Sequence, residues 1–178
     1  MNKHIKFFLT HLFISCFIAL FVIGLVFFIW YPSPLATAVG VTHIFLMLLV
    51  IDVILGPLLG LLVYKEGKKT LKFDLSVIIL IQIAALCYGV FSIEQGRPAW
   101  LVYNVDRFEV VRNNEIIKDG ISQALPQYQE PSWIKPQFVG VTFAKDNNVR
   151  NDEMFQELFS GISISQKPER YVPMAEVK

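Results

Sequence analysis

Charge is scarce in this sequence: Asp, Glu, Lys and Arg make up 17% of its 178 residues, against 54% hydrophobic residues. That balance excludes an ordinary soluble domain and points to an integral membrane protein. Cysteine is nearly absent. Cys16 and Cys87 both fall inside long apolar runs and none falls after residue 94, which excludes a disulfide framework. Residues 95–178 contain no His and no Cys, so no Ser/His/Asp or Cys/His catalytic set exists there, and no enzyme activity is expected. The same stretch holds ten Lys and Arg against eleven Asp and Glu, without the basic patch that a nucleic-acid partner requires. His4, His11 and His43 have no Cys or carboxylate at metal-ligand spacing, so no metal and no cofactor is expected.

What is abundant is uncharged apolar sequence, in three runs long enough to cross a hydrocarbon layer about 30 Å thick. The expected fold is membrane α-helical, with helices at 7–30, 42–64 and 73–93 in a transmembrane domain 1–94. A small α+β domain, 95–178, follows. Ala36-Thr37-Ala38 has the small-x-small form of a signal-peptide cleavage site, but signal cores run to about 15 residues and the first apolar run is longer, which favours an uncleaved helix. Lys3 and Lys6 precede the first run, and Lys65, Lys68, Lys69 and Lys72 crowd the loop after the second. Lys-rich short loops stay in the cytoplasm, which puts the N-terminus inside and residues after 93 outside, in the periplasm of a bacterium. The same lysines are placed to meet anionic lipid head groups.

The second run carries one carboxylate, Asp52, near the centre of the hydrocarbon. An acid there costs on the order of 2.5–3.5 kcal/mol, which makes it a functional candidate. At about 1.5 Å per residue from the cytoplasmic end, Asp52 lies about 18 Å deep, Gln82 about 14 Å and Ser15 about 12 Å, so the three share a layer. Gly56 and Gly60 follow Asp52 in a small-xxx-small pattern that admits a close helix, and Pro57 is expected to bend the helix. Asp52, Gly56, Pro57 and Gln82 are therefore candidate partner-binding residues. Three roles stand open for Asp52: a pin within the bundle, a contact for a partner's polar group, or a step in proton or ion passage.

In the exported domain, alternation from Trp100 predicts a strand running on through Val105-Asp106-Arg107, with a turn at Asn113-Asn114 and a return strand at 115–118. Prolines at 126, 131 and 136 predict an irregular loop, residues 138–143 a further strand, and residues from 151 a helix stopping at Gly161. On one strand, Asp106 and Arg107 would point to opposite faces and could not pair. Arg97, Trp100, Asp106 and Arg107 are this domain's candidate partner contacts.

The segments FFIWYPSPL, VIDVILGPLLGLLVYK, GKKTLKFDLSVIILIQIAALCYGV and QGRPAWLVYNVDRFEVV resemble the TfpX/TfpZ family of type IV pilin accessory proteins. The likeness is strongest over residues 28–111, and PERYVP at 168–173 adds to it. Its specificity lies in the combination: acid-x-x-Leu-Gly-Pro in one helix, Lys-Phe-Asp-Leu opening the next, and Arg-Pro followed by Val-Asp-Arg-Phe. The resemblance implies an inner-membrane protein that assists type IV pilus assembly in association with a particular pilin, and the groove expected around Asp52, Gly56 and Pro57 suggests that it binds or stabilises that pilin before polymerisation. Its partners would be the pilin and the assembly machinery. Family members generally continue past the counterpart of Pro173, and a function residing in that extension is not expected of this chain. The alternative, from the residues alone, is a small proton- or ion-conducting protein using Asp52.

Overall fold

A computed structural model describes residues 3–177, so Met1 and Asn2 of the expected first domain and Lys178 of the second lie outside the described residues. The chain divides into two compact units, Met1–Glu94 and Gln95–Lys178. The first holds three helices long and apolar enough to cross a membrane, Lys3–Trp30, Val41–Val63 and Leu71–Gln95. Helix α1 (Lys3–Gly24) continues as a π-helical turn, Leu25–Trp30, closed by the Tyr31 N–H donating to Val26 O at 2.7 Å. A short α2 (Leu35–Ala38) leads through Gly40, at φ 72°, into α3 (Val41–Val63). Pro57 sits inside α3, which runs unbroken past it. The third span is α4 (Leu71–Gln95).

Helices α1 and α3 form the closest pair. Their shared core is Ala19, Val22, Val26, Phe45 and Leu49, and the Phe27 and Phe45 rings meet edge to face at 5.5 Å. Helix α4 buries half the share of its apolar window that either other span does. It is held at one end by the Tyr31 hydroxyl, which donates to Ile93 O at 2.7 Å. The outward residues are as apolar as the core: Phe13, Phe17 and Phe21, four residues apart on one ridge of α1, are 68–74% exposed. Such a ridge is tolerated in lipid, where hydrocarbon replaces water and the helix satisfies its own backbone.

The second unit is a four-stranded sheet in the order β2-β1-β3-β4. Strands β1 (Pro98–Asn104) and β2 (Arg107–Arg112) are antiparallel, β3 (Gln137–Val141) lies parallel to β1, and the two-residue β4 (Tyr171–Val172) closes the edge. One sheet face carries the core, with Trp100, Val102 and Val139 fully buried. The Trp100, Tyr128 and Tyr171 rings meet edge to face at 5.4–5.9 Å. The Tyr171 hydroxyl donates to Ser165 O, and burial pushes its ionisation well above the usual phenol range.

The expected single strand through 105–107 is corrected. Val105 takes a left-handed conformation, φ 57°, and the Asp106 N–H donates back to Asn104 O at 2.7 Å, so the chain reverses there and pairs Asn104 with Arg107. The expected return strand at 115–118 does not form either. Glu115 instead folds back to accept the Arg112 N–H at 2.9 Å, closing a 3-10 turn over Asn113–Glu115.

Helix α5 (Asn147–Ser160) begins four residues before its expected start, because the Asp146 carboxylate caps it by accepting the Asn148 N–H at 2.8 Å. It ends, as expected, at Gly161 in the left-handed region. Arg170 Nη2 meets Glu153 Oε1 at 2.6 Å, with side-chain exposures of 25% and 11%. Losing a largely desolvated charged pair costs about 1–3 kcal/mol. Arg170→Met is therefore expected to speed amide hydrogen exchange across α5, and unchanged protection there would show that the helix is held by something else.

Candidate functional site

The polar residues of the first unit meet at one level of the helices. Gln82, on α4, reaches across to both others: its Nε2 donates to Ser15 Oγ on α1 at 3.1 Å and to the Asp52 backbone oxygen on α3 at 3.1 Å. Its Oε1 lies 2.9 Å from His11 Nε2. Since the amide oxygen can only accept, His11 Nε2 carries the proton in this pair. His11 Nδ1 is then left as an acceptor, buried and without a hydrogen-bond partner. The Asp52 carboxylate lies beside the Gln82 amide and within electrostatic reach of His11.

Gly56 makes this arrangement possible. A Cβ there would stand 2.0 Å from Gln82 Oε1, so the missing side chain is the space the amide occupies. One turn on, Gly60 receives the Phe7 ring, 2.9 Å from where its Cβ would be. On α4, Gly89 receives Leu48 in the same way. The small residues thus admit side chains from within the unit, and Gly56 and Pro57 are both buried.

Beside the cluster lies a cleft of about 250 Å³. Its walls are apolar, with Ile14 and Ile18 from α1, Leu49 from α3, and Ile79, Ile83 and Leu86 from α4. His11, Ser15, Asp52 and Gln82 supply its polar side. Chemically this is a hydrophobic slot with a narrow polar side, where the Gln82 amide serves the Asp52 carboxylate and the His11 Nδ1 has no hydrogen-bond partner. Among the described residues, no three His, Cys, Asp or Glu side chains are grouped so as to hold a metal ion.

The structure therefore brings together Asp52, Gly56 and Gln82 from the sequence candidates and adds His11. Spacing could have found it, because His11 is one turn before Ser15 and so on the same face of α1. Pro57 adjoins the cluster in sequence but does not line the cleft. The candidates of the second unit divide into a buried pair and an exposed pair. Trp100 is fully buried in the core. Arg97 is buried too, and its Nη1 donates to Ser132 O at 2.8 Å. Asp106 and Arg107, expected to be unable to pair, do pair: Arg107 Nε donates to Asp106 Oδ1 at 3.0 Å. The reason is the turn, which takes Asp106 off the strand. Both side chains are about 70% exposed, and the carboxylate raises the guanidinium above its ordinary value.

Comparison with known proteins places relatives beside this geometry. The profile of the fimbrial assembly protein FimB family matches residues 1–40. The chain is 32% identical over 164 residues to the fimbrial assembly protein of serogroup I of Dichelobacter nodosus, covering 91% of this chain and 63% of that protein. Identity to the serogroup E1 protein of the same organism is 31% over 164 residues, with the same coverage. To the protein of serogroups C1 and C2 it is 34% over 116 residues, covering 64% of this chain and 88% of the relative. The chain thus spans about 63% of the length of the first two. No solved structure matches it.

Proposed function

The chain belongs to the fimbrial assembly protein family, and from that premise we propose that it is an inner-membrane accessory of type IV pilus assembly that binds its cognate pilin in the bilayer before polymerisation. The resemblance to TfpX/TfpZ proteins narrows the family role to a pilin accessory. On this reading the protein works by holding a partner and performs no chemistry. The lysines at 3, 6, 65, 68, 69 and 72 set its orientation. They hold the N-terminus and the loop between α3 and α4 in the cytoplasm, where anionic lipid also attracts them, and the sheet unit lies in the periplasm.

The observation that carries the proposal is the cleft, an apolar slot at membrane depth with His11, Ser15, Asp52 and Gln82 on its polar side and the buried His11 Nδ1 without a hydrogen-bond partner. A pilin's membrane helix offers apolar side chains to such a slot. One hydrogen-bond donor on that helix would meet His11 or Asp52, a contact worth about 0.6–2 kcal/mol in a membrane. The slot admits one or two side chains, so it sets register and orientation, while lipid-exposed ridges supply the rest of the contact.

The test is photo-crosslinking in the membrane. A probe at Ile14 or Ile83, in the cleft, is expected to label the pilin strongly, and a probe at Met47, exposed outside it, weakly. Asp52→Asn is expected to weaken the cleft adducts. Equal labelling from Ile14, Ile83 and Met47 would sink the cleft as the docking place. Proton or ion passage is the competing reading, favoured by His11 and Asp52 sharing one layer. Asp52-dependent flux in reconstituted vesicles would establish it in place of docking.

A further inference from the structure

Helix α4 is held unevenly along its length. Its buried residues are Gly89 and Ile93, both in the C-terminal third. Leu48 fills the space that a Cβ would take at Gly89, and the Tyr31 hydroxyl donates to Ile93 O at 2.7 Å. Leu86 and Val90 pack against the same core. Before Leu86 the helix has no buried residue, and none of its apolar side chains joins that core. Among the described residues, the side-chain hydrogen bonds from 71–85 that reach another helix are those of Gln82 alone. An exposed ion pair, Lys3 with Glu66 at 3.6 Å, ties the loop ahead of α4 to α1, and such surface pairs contribute little.

The cleft lies between α1 and this weakly held half of α4, with Ile79, Gln82 and Ile83 on one wall and Ile14, Ser15 and Ile18 on the other. At about 250 Å³ it takes side chains, whereas a helix is about 10 Å across. A whole helix enters there only if α4 moves aside. We propose that α4 is a gate: it pivots about Gly89 and Ile93, Gln82 latches its N-terminal half to α1 and α3, and release of that latch opens the cleft sideways to an apolar membrane helix. From Ile93 to Leu71 the arm is about 33 Å long at about 1.5 Å per residue. A swing of about 20° therefore carries the Leu71 end about 11 Å, one helix width, and stays within the tilts common among membrane helices. The Gln82 amide, about 16 Å from the pivot, moves about 5 Å, enough to break all three of its contacts. The gate rests on the docking reading for its occupant and adds how that helix gets in: side chains probe the closed slot, and the helix seats when the latch yields. An incoming helix opens the gate by its preference for the open state, and a weaker latch raises its apparent affinity.

The experiment uses the full chain in lipid nanodiscs, with Cys16 and Cys87 replaced by Ala and spin labels at two exposed positions. One pair, Leu9→Cys on α1 with Phe73→Cys on α4, reads the latched end, and the other, Phe28→Cys with Phe91→Cys, reads the pivot. Gln82→Ala is expected to add a population whose Leu9–Phe73 distance is longer by about 5–10 Å, with Phe28–Phe91 unchanged to about 2 Å. This variant empties the latch site, whereas a larger residue at position 56 would fill it. His11→Phe with Ser15→Ala, read in its place if Gln82→Ala fails to accumulate, removes the α1 contacts of the latch and is expected to give a smaller share of the same population. The membrane helix of the cognate pilin, added as a synthetic peptide, is expected to bring out the long distance in the chain with Gln82 intact, and Gln82→Ala to bind that peptide about threefold more tightly or better. Unchanged Leu9–Phe73 distances in the latch variants would overturn the gate. So would equal lengthening of both pairs, in which α4 leaves as a whole, and so would peptide binding with α4 still closed, which would leave docking in place. A chain that opens in Gln82→Ala but ignores the peptide would uphold the gate and sink the docking reading instead.

Discussion

Trp100→Ala is expected to destabilise the second unit by about 3–5 kcal/mol, the cost of removing a large ring from a close-packed core. Trp100 is fully buried on the central strand, between Tyr128 and Tyr171, so the cavity cannot be filled without moving β4 or the loop that carries Tyr128. The readout is amide exchange of β1 and β3 in the full chain in detergent, which should rise together as the unit opens globally. Trp100→Phe keeps most of the ring volume and gives up only an indole N–H that has no hydrogen-bond partner. Its expected cost is about 1–2 kcal/mol. Ile134→Ala, at a position 60% exposed, should cost about 0.5 kcal/mol or less. The set separates a core residue from a partner contact. Were Trp100 a contact, the alanine variant would fold normally and lose only assembly.

That residue also marks where sequence reading stops. A tryptophan in an alternating strand next to an Arg-Pro pair reads equally well as an interface anchor or as core, because alternation gives two faces without saying which is covered. The three spans were legible to within a few residues: runs without charge have no other stable solution in or out of lipid. The polar layer was legible too, since depth along straight helices is simple arithmetic and a Gln at membrane depth must find partners. His11 draws no notice as a metal ligand, and its place one turn from Ser15 tells only once it is read as a hydrogen-bonding group. Gly56 and Gly60 announced a close approach, yet only the structure tells what approaches, the Gln82 amide and the Phe7 ring. The hairpin at Val105 was hidden by chemistry: a β-branched residue at positive φ is a conformation that propensity argues against, and nothing local advertised it. The two residues of β4 lie close to two prolines and show no period at all.

Gly56→Leu is expected to expel the Gln82 amide from its place against α3, and with it to remove the cleft and, on the proposed function, pilus assembly. Even a methyl group at position 56 would stand 2.0 Å from Gln82 Oε1, so the amide must leave before any side chain can enter. Gly56→Ala displaces only the far end of a flexible side chain, but that end makes the contacts to His11, Ser15 and the Asp52 backbone. Its expected cost is about 1–3 kcal/mol, two or three membrane hydrogen bonds of modest worth. Gly56→Leu adds overpacking of about 1–3 kcal/mol on top. Gly24→Ala is the control, because nothing lies within 4 Å of the added Cβ, and it should be neutral. The decisive variant is the double one. If the amide is what the new side chain strikes, Gln82→Ala should relieve Gly56→Ala, so that the pair together costs less than the sum of the two by about 1 kcal/mol or more. Strict additivity, measured by detergent-melt midpoint or by resistance of α4 to protease, would mean that Gln82 does not occupy the space at Gly56. A cleft that survived Gly56→Leu, still labelling the pilin from Ile83, would separate docking from the polar cluster altogether.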